Sequence, residues 1–141
     1  MRATIIPTLP YRDAAAAVDW LCQAFGFARR LVHREPSGAV AFAQLAYGDG
    51  LVMIGTAPEE GSGSIQLPPL GHVTQSAYVI VPDADAHFAR ARRAGAEIVA
   101  PVKDEPYGGR SYSCRDLEGH LWHFGTYDPW AQGPEGALGG A

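Results

Sequence analysis

A chain of 141 residues is long enough to bury a sizeable core as one compact domain and too short to stabilise two well. Its net charge of −4 and pI near 5.6 provide no basic footprint, which argues against nucleic acid as a partner. No apolar run approaches the roughly 20 residues of a membrane span, and Met1-Arg2-Ala3 leads into strand-like sequence rather than a signal peptide, so a cytoplasmic protein with no membrane partner is expected.

Thr4 to Tyr11 is β-branched and apolar and reads as a strand, closed by Arg12-Asp13. Asp13 is placed to accept from the first free amides of a helix, in which Val18, Leu21, Cys22 and Phe25 form an i, i+3, i+4, i+7 stripe, and Gly26 supplies a left-handed stop. Phe27–Arg34, Ala39–Tyr47 and Leu51–Thr56 follow as strands, separated by turns at Glu35-Pro36-Ser37-Gly38 and Tyr47-Gly48-Asp49-Gly50. Residues 57–72 hold Glu59-Glu60, Gly61-Ser62-Gly63-Ser64 and Pro68-Pro69 and read as a linker. Val73 to Val81 is the next strand, Asp83 the next cap, and a helix runs through Ala94 to a stop at Gly95. Strands at Glu97–Lys103, Arg110–Cys114 and His120–Tyr127 complete the chain, and residues 131–141, rich in Gly, Ala and Pro, are expected to be a flexible tail.

The order βαβββ therefore occurs twice, and the two copies share one register. Asp13-Ala14 recurs as Asp83-Ala84 (83 − 13 = 70), Glu35-Pro36 as Glu105-Pro106 (105 − 35 = 70), and Gly55-Thr56 as Gly125-Thr126 (125 − 55 = 70). A repeat this long, present only twice, implies two supersecondary modules sharing one core rather than a solenoid. The expected fold is α+β: a single domain over 1–130, with modules at about 3–56 and 73–127. Cys22 and Cys114 occupy non-equivalent positions without C-x-x-C spacing and read as reduced core or near-core thiols.

Pro106-Tyr107-Gly108-Gly109-Arg110 and the run from Asp116 through His123 to Thr126, with Leu9 to Phe27 at the start, resemble the vicinal oxygen chelate superfamily. That superfamily includes glyoxalases, extradiol dioxygenases and bleomycin resistance proteins. The resemblance implies two cup-shaped mixed sheets, and in the metal-dependent members a ligand in the first and last strand of each module. Carried over, those positions are Ile6, Met53, Ser76 and His123, and they obey the same register (76 − 6 = 70; 123 − 53 = 70). Only His123 is a good divalent-metal ligand, so no metal and no cofactor are expected. His120 and His123, three apart in a strand, lie on opposite faces and cannot join in one site. His33, His72 and His87 read as surface or partly buried polar residues.

Alternation puts Pro7, Leu9, Tyr11, Val52 and Ile54, with Ala77, Val79, Val81, Trp122 and Phe124, on helix-facing sides. The opposite faces carry Ile6, Thr8, Leu51 and Met53 in one module, and Ser76, Tyr78, Leu121 and His123 in the other. This mixed, neutral, aromatic lining suits a small-molecule cavity. Trp122 reads as core. Tyr107 and Trp130 suit a pocket rim, Tyr112 joins the aromatic group, and Arg110 is placed either on a ligand carboxylate or in a structural pair with Asp116 or Glu118. Glu59, Glu60, Asp104 and Glu105 are acidic loop residues available to a cationic ligand or to solvent. The candidate ligand-binding residues are thus Ile6, Thr8, Met53, Ser76, Tyr78, Tyr107, Arg110, Tyr112, His123 and Trp130, with no catalytic set.

Resemblance to the bleomycin resistance proteins implies a metal-free protein that sequesters a hydrophobic or aromatic compound such as an antibiotic, as a homodimer. The alternatives are a metal-dependent lyase, isomerase or dioxygenase with atypical ligands, and an interaction subunit with a vestigial pocket.

Overall fold

The protein is described by a computed structural model covering residues 2–57, 67–69 and 71–131. The linker residues Glu59, Glu60 and Gly61 to Ser64, and the tail beyond Ala131, lie outside the described residues. The chain divides into two compact units, one of residues 1–74 with 117–119, the other of 75–116 with 120–141.

In the first unit β1 (Thr8–Tyr11), α1 (Ala14–Phe25), β2 (Ala28–Arg34), β3 (Val40–Tyr47) and β4 (Gly50–Thr56) form a four-stranded mixed sheet of order β1-β4-β3-β2 covered by the helix. The helix starts where its cap demands. Asp13 Oδ1 accepts from the Ala16 amide at 3.0 Å, satisfying a donor that the first turn leaves free. It ends where Gly26 takes φ +83°, a left-handed conformation that costs glycine nothing. Ala14, Ala17, Val18, Leu21, Ala24 and Phe25 are buried along one stripe, against Tyr11, Val40, Ala43, Leu45, Val52 and Ile54 of the strands.

The second unit repeats the design with β5 (Ala77–Ile80), α2 (Ala84–Arg93), β6 (Glu97–Asp104), β7 (Arg110–Arg115) and β8 (Leu121–Gly125), in the order β5-β8-β7-β6. Asp83 caps α2 through Ala86 as Asp13 caps α1, again at 3.0 Å. The repeat extends to backbone hydrogen bonds. Glu35 accepts from Gly38 and donates to Ala39, and seventy residues on Glu105 accepts from Gly108 and donates to Gly109. It extends also to strand register, because Thr8 stands beside Met53 in the parallel pair of the first sheet and Tyr78 beside His123 in the second. The second helix has 10 residues against 12, in line with the early stop at Gly95.

Strand alternation holds with one set of faces buried. Tyr11, Val52, Ile54, Val81, Trp122 and Phe124 are buried on the helix side, whereas Thr8 and Tyr78 are exposed on the other. Trp122 is core, and its indole N–H donates to buried Asp116 at 3.0 Å. Cys22 and Cys114 are not joined in a disulfide, and the second is fully buried. Burial, reinforced by Asp116, pushes the Cys114 thiol up to about 12. No helix among the described residues is long and apolar enough to cross a membrane.

Candidate functional site

On the second sheet, the face turned away from α2 carries a short row of polar side chains from three adjacent strands. Parallel pairing sets Tyr78 beside His123, and antiparallel pairing sets His123 beside Ser113. The His123 ring is held at both nitrogens, with Ser113 Oγ 2.6 Å from Nδ1 and Ser76 Oγ 3.1 Å from Nε2. A neutral imidazole donates at one nitrogen and accepts at the other, so one serine must accept and the other donate. Ser76, just before β5, is exposed and makes the longer contact, so it is the partner that a ligand can most readily displace.

Beside this row, the Tyr78 hydroxyl donates to the Tyr127 carbonyl at 2.7 Å. The Tyr127 ring meets Tyr107 edge-on, with centroids 5.1 Å apart and planes at 80°. Tyr107 is 38% exposed and Tyr78 40%. Burial raises the Tyr78 pKa, and Tyr107, Asp128 and Tyr127 raise it further, so Tyr78 is a neutral hydroxyl at ordinary pH. Gly125 leaves room for this ring. A Cβ there would stand 2.7 Å from the Tyr78 hydroxyl and 2.9 Å from Ser111 Cβ. Trp130, in a 3-10 turn over Pro129–Ala131, is 89% exposed.

Two residues named from the sequence belong elsewhere. Tyr112 is 1% exposed and lies on the helix side of β7, stacked on Phe124 with centroids 5.4 Å apart and its hydroxyl 2.5 Å from His87 Nδ1. It is a core residue, because β7 alternation puts Tyr112 and Cys114 inward and Ser113 outward. Arg110 shares that inward parity. Its guanidinium grips Asp85 of α2 through two hydrogen bonds of 3.1 Å and Asp104 through one of 3.0 Å, and these carboxylates hold it more firmly protonated. It is therefore a structural ion pair, with partners other than Asp116 or Glu118. Asp116 instead serves Trp122 and the His120 amide, and Glu118 accepts from the Arg12 and Asp13 amides. Of the acidic loop residues, Asp104 is committed to Arg110 and Glu105 to the Ser111 hydroxyl.

His87 is buried rather than superficial. Ala84, His87 and Ala91 form the i, i+3, i+7 stripe of α2 that faces the sheet, a signal present in the sequence. Ser113 carried no comparable signal, since only strand register shows that it meets His123.

In the first unit the corresponding open row is Thr8, Met53 and Gln44. Thr8 is exposed, and Met53 and Ile6 are partly so. The chemistry of the four positions does not suit a divalent metal. Ile6 has no donor atom, Met53 offers only a thioether, and Ser76 offers a neutral hydroxyl already committed to His123. Among the described residues no three His, Cys, Asp or Glu side chains gather to hold an ion.

Comparison with known proteins fits this architecture. TioX from Micromonospora sp. ML1 is 40% identical, with a TM-score of 0.71 over 87% of this chain and 97% of that one. The hypothetical protein SA1046 of S. aureus shares the fold at 18% identity, with a TM-score of 0.69 over 90% of this chain and 95% of that one. An uncharacterized protein of Mycobacterium bovis is 31% identical over 121 residues, 84% of this chain and 80% of that one. Residues 5–124 match the Glyoxalase/Bleomycin resistance protein/Dioxygenase superfamily, and with the paired βαβββ units and their shared register this chain belongs to that superfamily.

Proposed function

We propose that the protein is a metal-free binding protein that sequesters a hydrophobic or aromatic small molecule, with the open face of the second sheet as a principal contact surface. The observation that carries this reading is the Ser113–His123–Ser76 chain. The one imidazole at a ligand position of the superfamily is occupied at both nitrogens by serine hydroxyls rather than left free for a metal. Tyr78 stands beside it, bonded to the Tyr127 carbonyl, and the Tyr127 ring meets Tyr107; Tyr78 and Tyr107 are exposed and Tyr127 partly so. Such a lining gives an aromatic ligand stacking area and a few hydrogen-bonding points.

The acting species in this reading is a homodimer, for which Leu31 and Phe42, each 45% exposed on the open face of the first sheet, supply apolar surface. Sedimentation at micromolar concentration checks it, and a monomer rejects it.

The binding reading is tested by thermal shift with a panel of planar aromatic compounds. A ligand at 100 times its Kd stabilises by about 2.7 kcal/mol. At least one compound should raise Tm in the wild type and lose most of that effect in Ser76→Ala/His123→Ala. Co-purification of equimolar metal, with turnover that His123→Ala abolishes, rejects the reading in favour of a metal enzyme.

A further inference from the structure

Tyr78, Tyr107 and Tyr127 surround a feature that the His123 row leaves unused. Tyr107 comes from the turn between β6 and β7, Tyr127 follows β8, and their rings stand as two nearly perpendicular walls. Tyr78 is anchored to this corner by its bond to the Tyr127 carbonyl. The carboxylate of the next residue, Asp128, accepts from the Trp130 amide at 2.8 Å, and no Lys, Arg or His among the described residues forms an ion pair with it. Of the other acidic side chains on this unit, Asp85 and Asp104 are paired with the Arg110 guanidinium, and Glu105 accepts from the neutral Ser111 hydroxyl.

The corner thus combines negative ring faces with one carboxylate that lacks a cation. Both attract positive charge, and a weakly hydrated organic ammonium gains most, since it exchanges little hydration for ring contact. The raised pKa of Tyr78 points the same way. After burial, its causes include the Asp128 carboxylate, which opposes negative charge at that place, while the hydrogen bond to the Tyr127 backbone works the other way. An anionic ligand group is disfavoured there for the same reason.

We infer that Tyr78, Tyr107, Tyr127 and Asp128 form a subsite for an organic ammonium group of the bound molecule. The assignment rests on the ligand-binding reading and adds to it the chemical class of one end of the ligand.

The test uses the full-length protein and a matched pair of probes, (2-hydroxyethyl)trimethylammonium and its neutral carbon isostere 3,3-dimethylbutan-1-ol, with 2-naphthol as a neutral planar control. Binding is followed by chemical-shift titration of the tyrosine rings and of the His123 ring. The ammonium probe should shift the rings of Tyr107 and Tyr127 and bind at least tenfold more tightly than the alcohol. Asp128→Asn keeps the acceptor for the Trp130 amide, so it should preserve Tm while cutting that preference to about threefold or less. Tyr107→Leu should remove most ammonium binding. Equal affinity for the two isosteres, no shifts at Tyr107 and Tyr127, or an unchanged preference in Asp128→Asn overturns the subsite. If 2-naphthol binds with shifts at His123 while the ammonium probe does not bind, the subsite falls and the binding reading stands. If neither binds, both fall. Ammonium binding with the stated preference, in the absence of 2-naphthol binding, upholds the subsite and rejects an aromatic ligand.

Discussion

Ser113 and His123 face each other across the antiparallel pair β7 and β8, with Ser113 Oγ 2.6 Å from Nδ1 of the imidazole. The contact orients the ring so that Nε2 points toward Ser76. Ser113 is a positioning residue in the proposed site. Ser113→Ala should weaken binding of a planar ligand about tenfold, equivalent to about 1.4 kcal/mol. Titration of the labelled imidazole should show a changed tautomer balance, and Ser113→Thr, which keeps the hydroxyl, should restore both. Loss of affinity without any change in the imidazole signal would count against positioning.

Added Ni, Zn, Mn or Fe should leave Tm nearly unchanged, because a ligand that binds only the native state must stabilise it in proportion to its affinity. With Ile6, Met53 and Ser76 at three of the four positions, His123 alone cannot replace the hydration shell of a divalent ion. A rise of several degrees with any of these metals, abolished in His123→Ala, would contradict the assignment.

Stability should decline as pH rises above about 9. The Cys114 thiol ionises near 9 when unfolded but near 12 when buried, so between those values the unfolded chain binds fewer protons and is favoured. The slope from this group is at most about 1.4 kcal/mol per pH unit. Tyr78, also raised, adds the same sign above about 10. Comparing denaturant midpoints of the wild type and Cys114→Ala across pH 8 to 11 isolates the thiol, and parallel curves would show that it stays protonated in neither state or in both.

Gly125→Ala should cost about 1–3 kcal/mol and disturb the aromatic corner together. The new methyl would press on the Tyr78 hydroxyl, on Ser111 Cβ and, at 3.1 Å, on the Arg110 carbonyl. The tyrosine can swing away, but the backbone carbonyl cannot easily move. Wild-type Tm with unaltered Tyr78 shifts would mean that the ring does not depend on that gap.

The sequence by itself determined what rests on local rules. The seventy-residue register, the aspartate caps at Asp13 and Asp83, the glycine stops and the alternation that buries Trp122 and Phe124 all follow from neighbours close in the chain, where hydrogen-bonding geometry and period-two side-chain placement leave little freedom. The resemblance to the superfamily, carried over in the same register, located Ile6, Met53, Ser76 and His123 as equivalent positions. Tertiary structure decided which distant groups meet. Arg110 found Asp85 and Asp104, Tyr112 turned into the core toward His87, and Ser113 reached His123, each through strand register or helix packing that brings together residues 6 to 25 apart. Register across β7 and β8 depends on how many residues the intervening turn absorbs, and the second unit shifts by one there. Ser113 stands opposite His123, whereas Gln44 stands opposite Met53, a separation of 69 rather than 70 (113 − 44 = 69). A slip of one residue exchanges the two faces of a strand, so the polar partner of the imidazole had to come from the folded sheet.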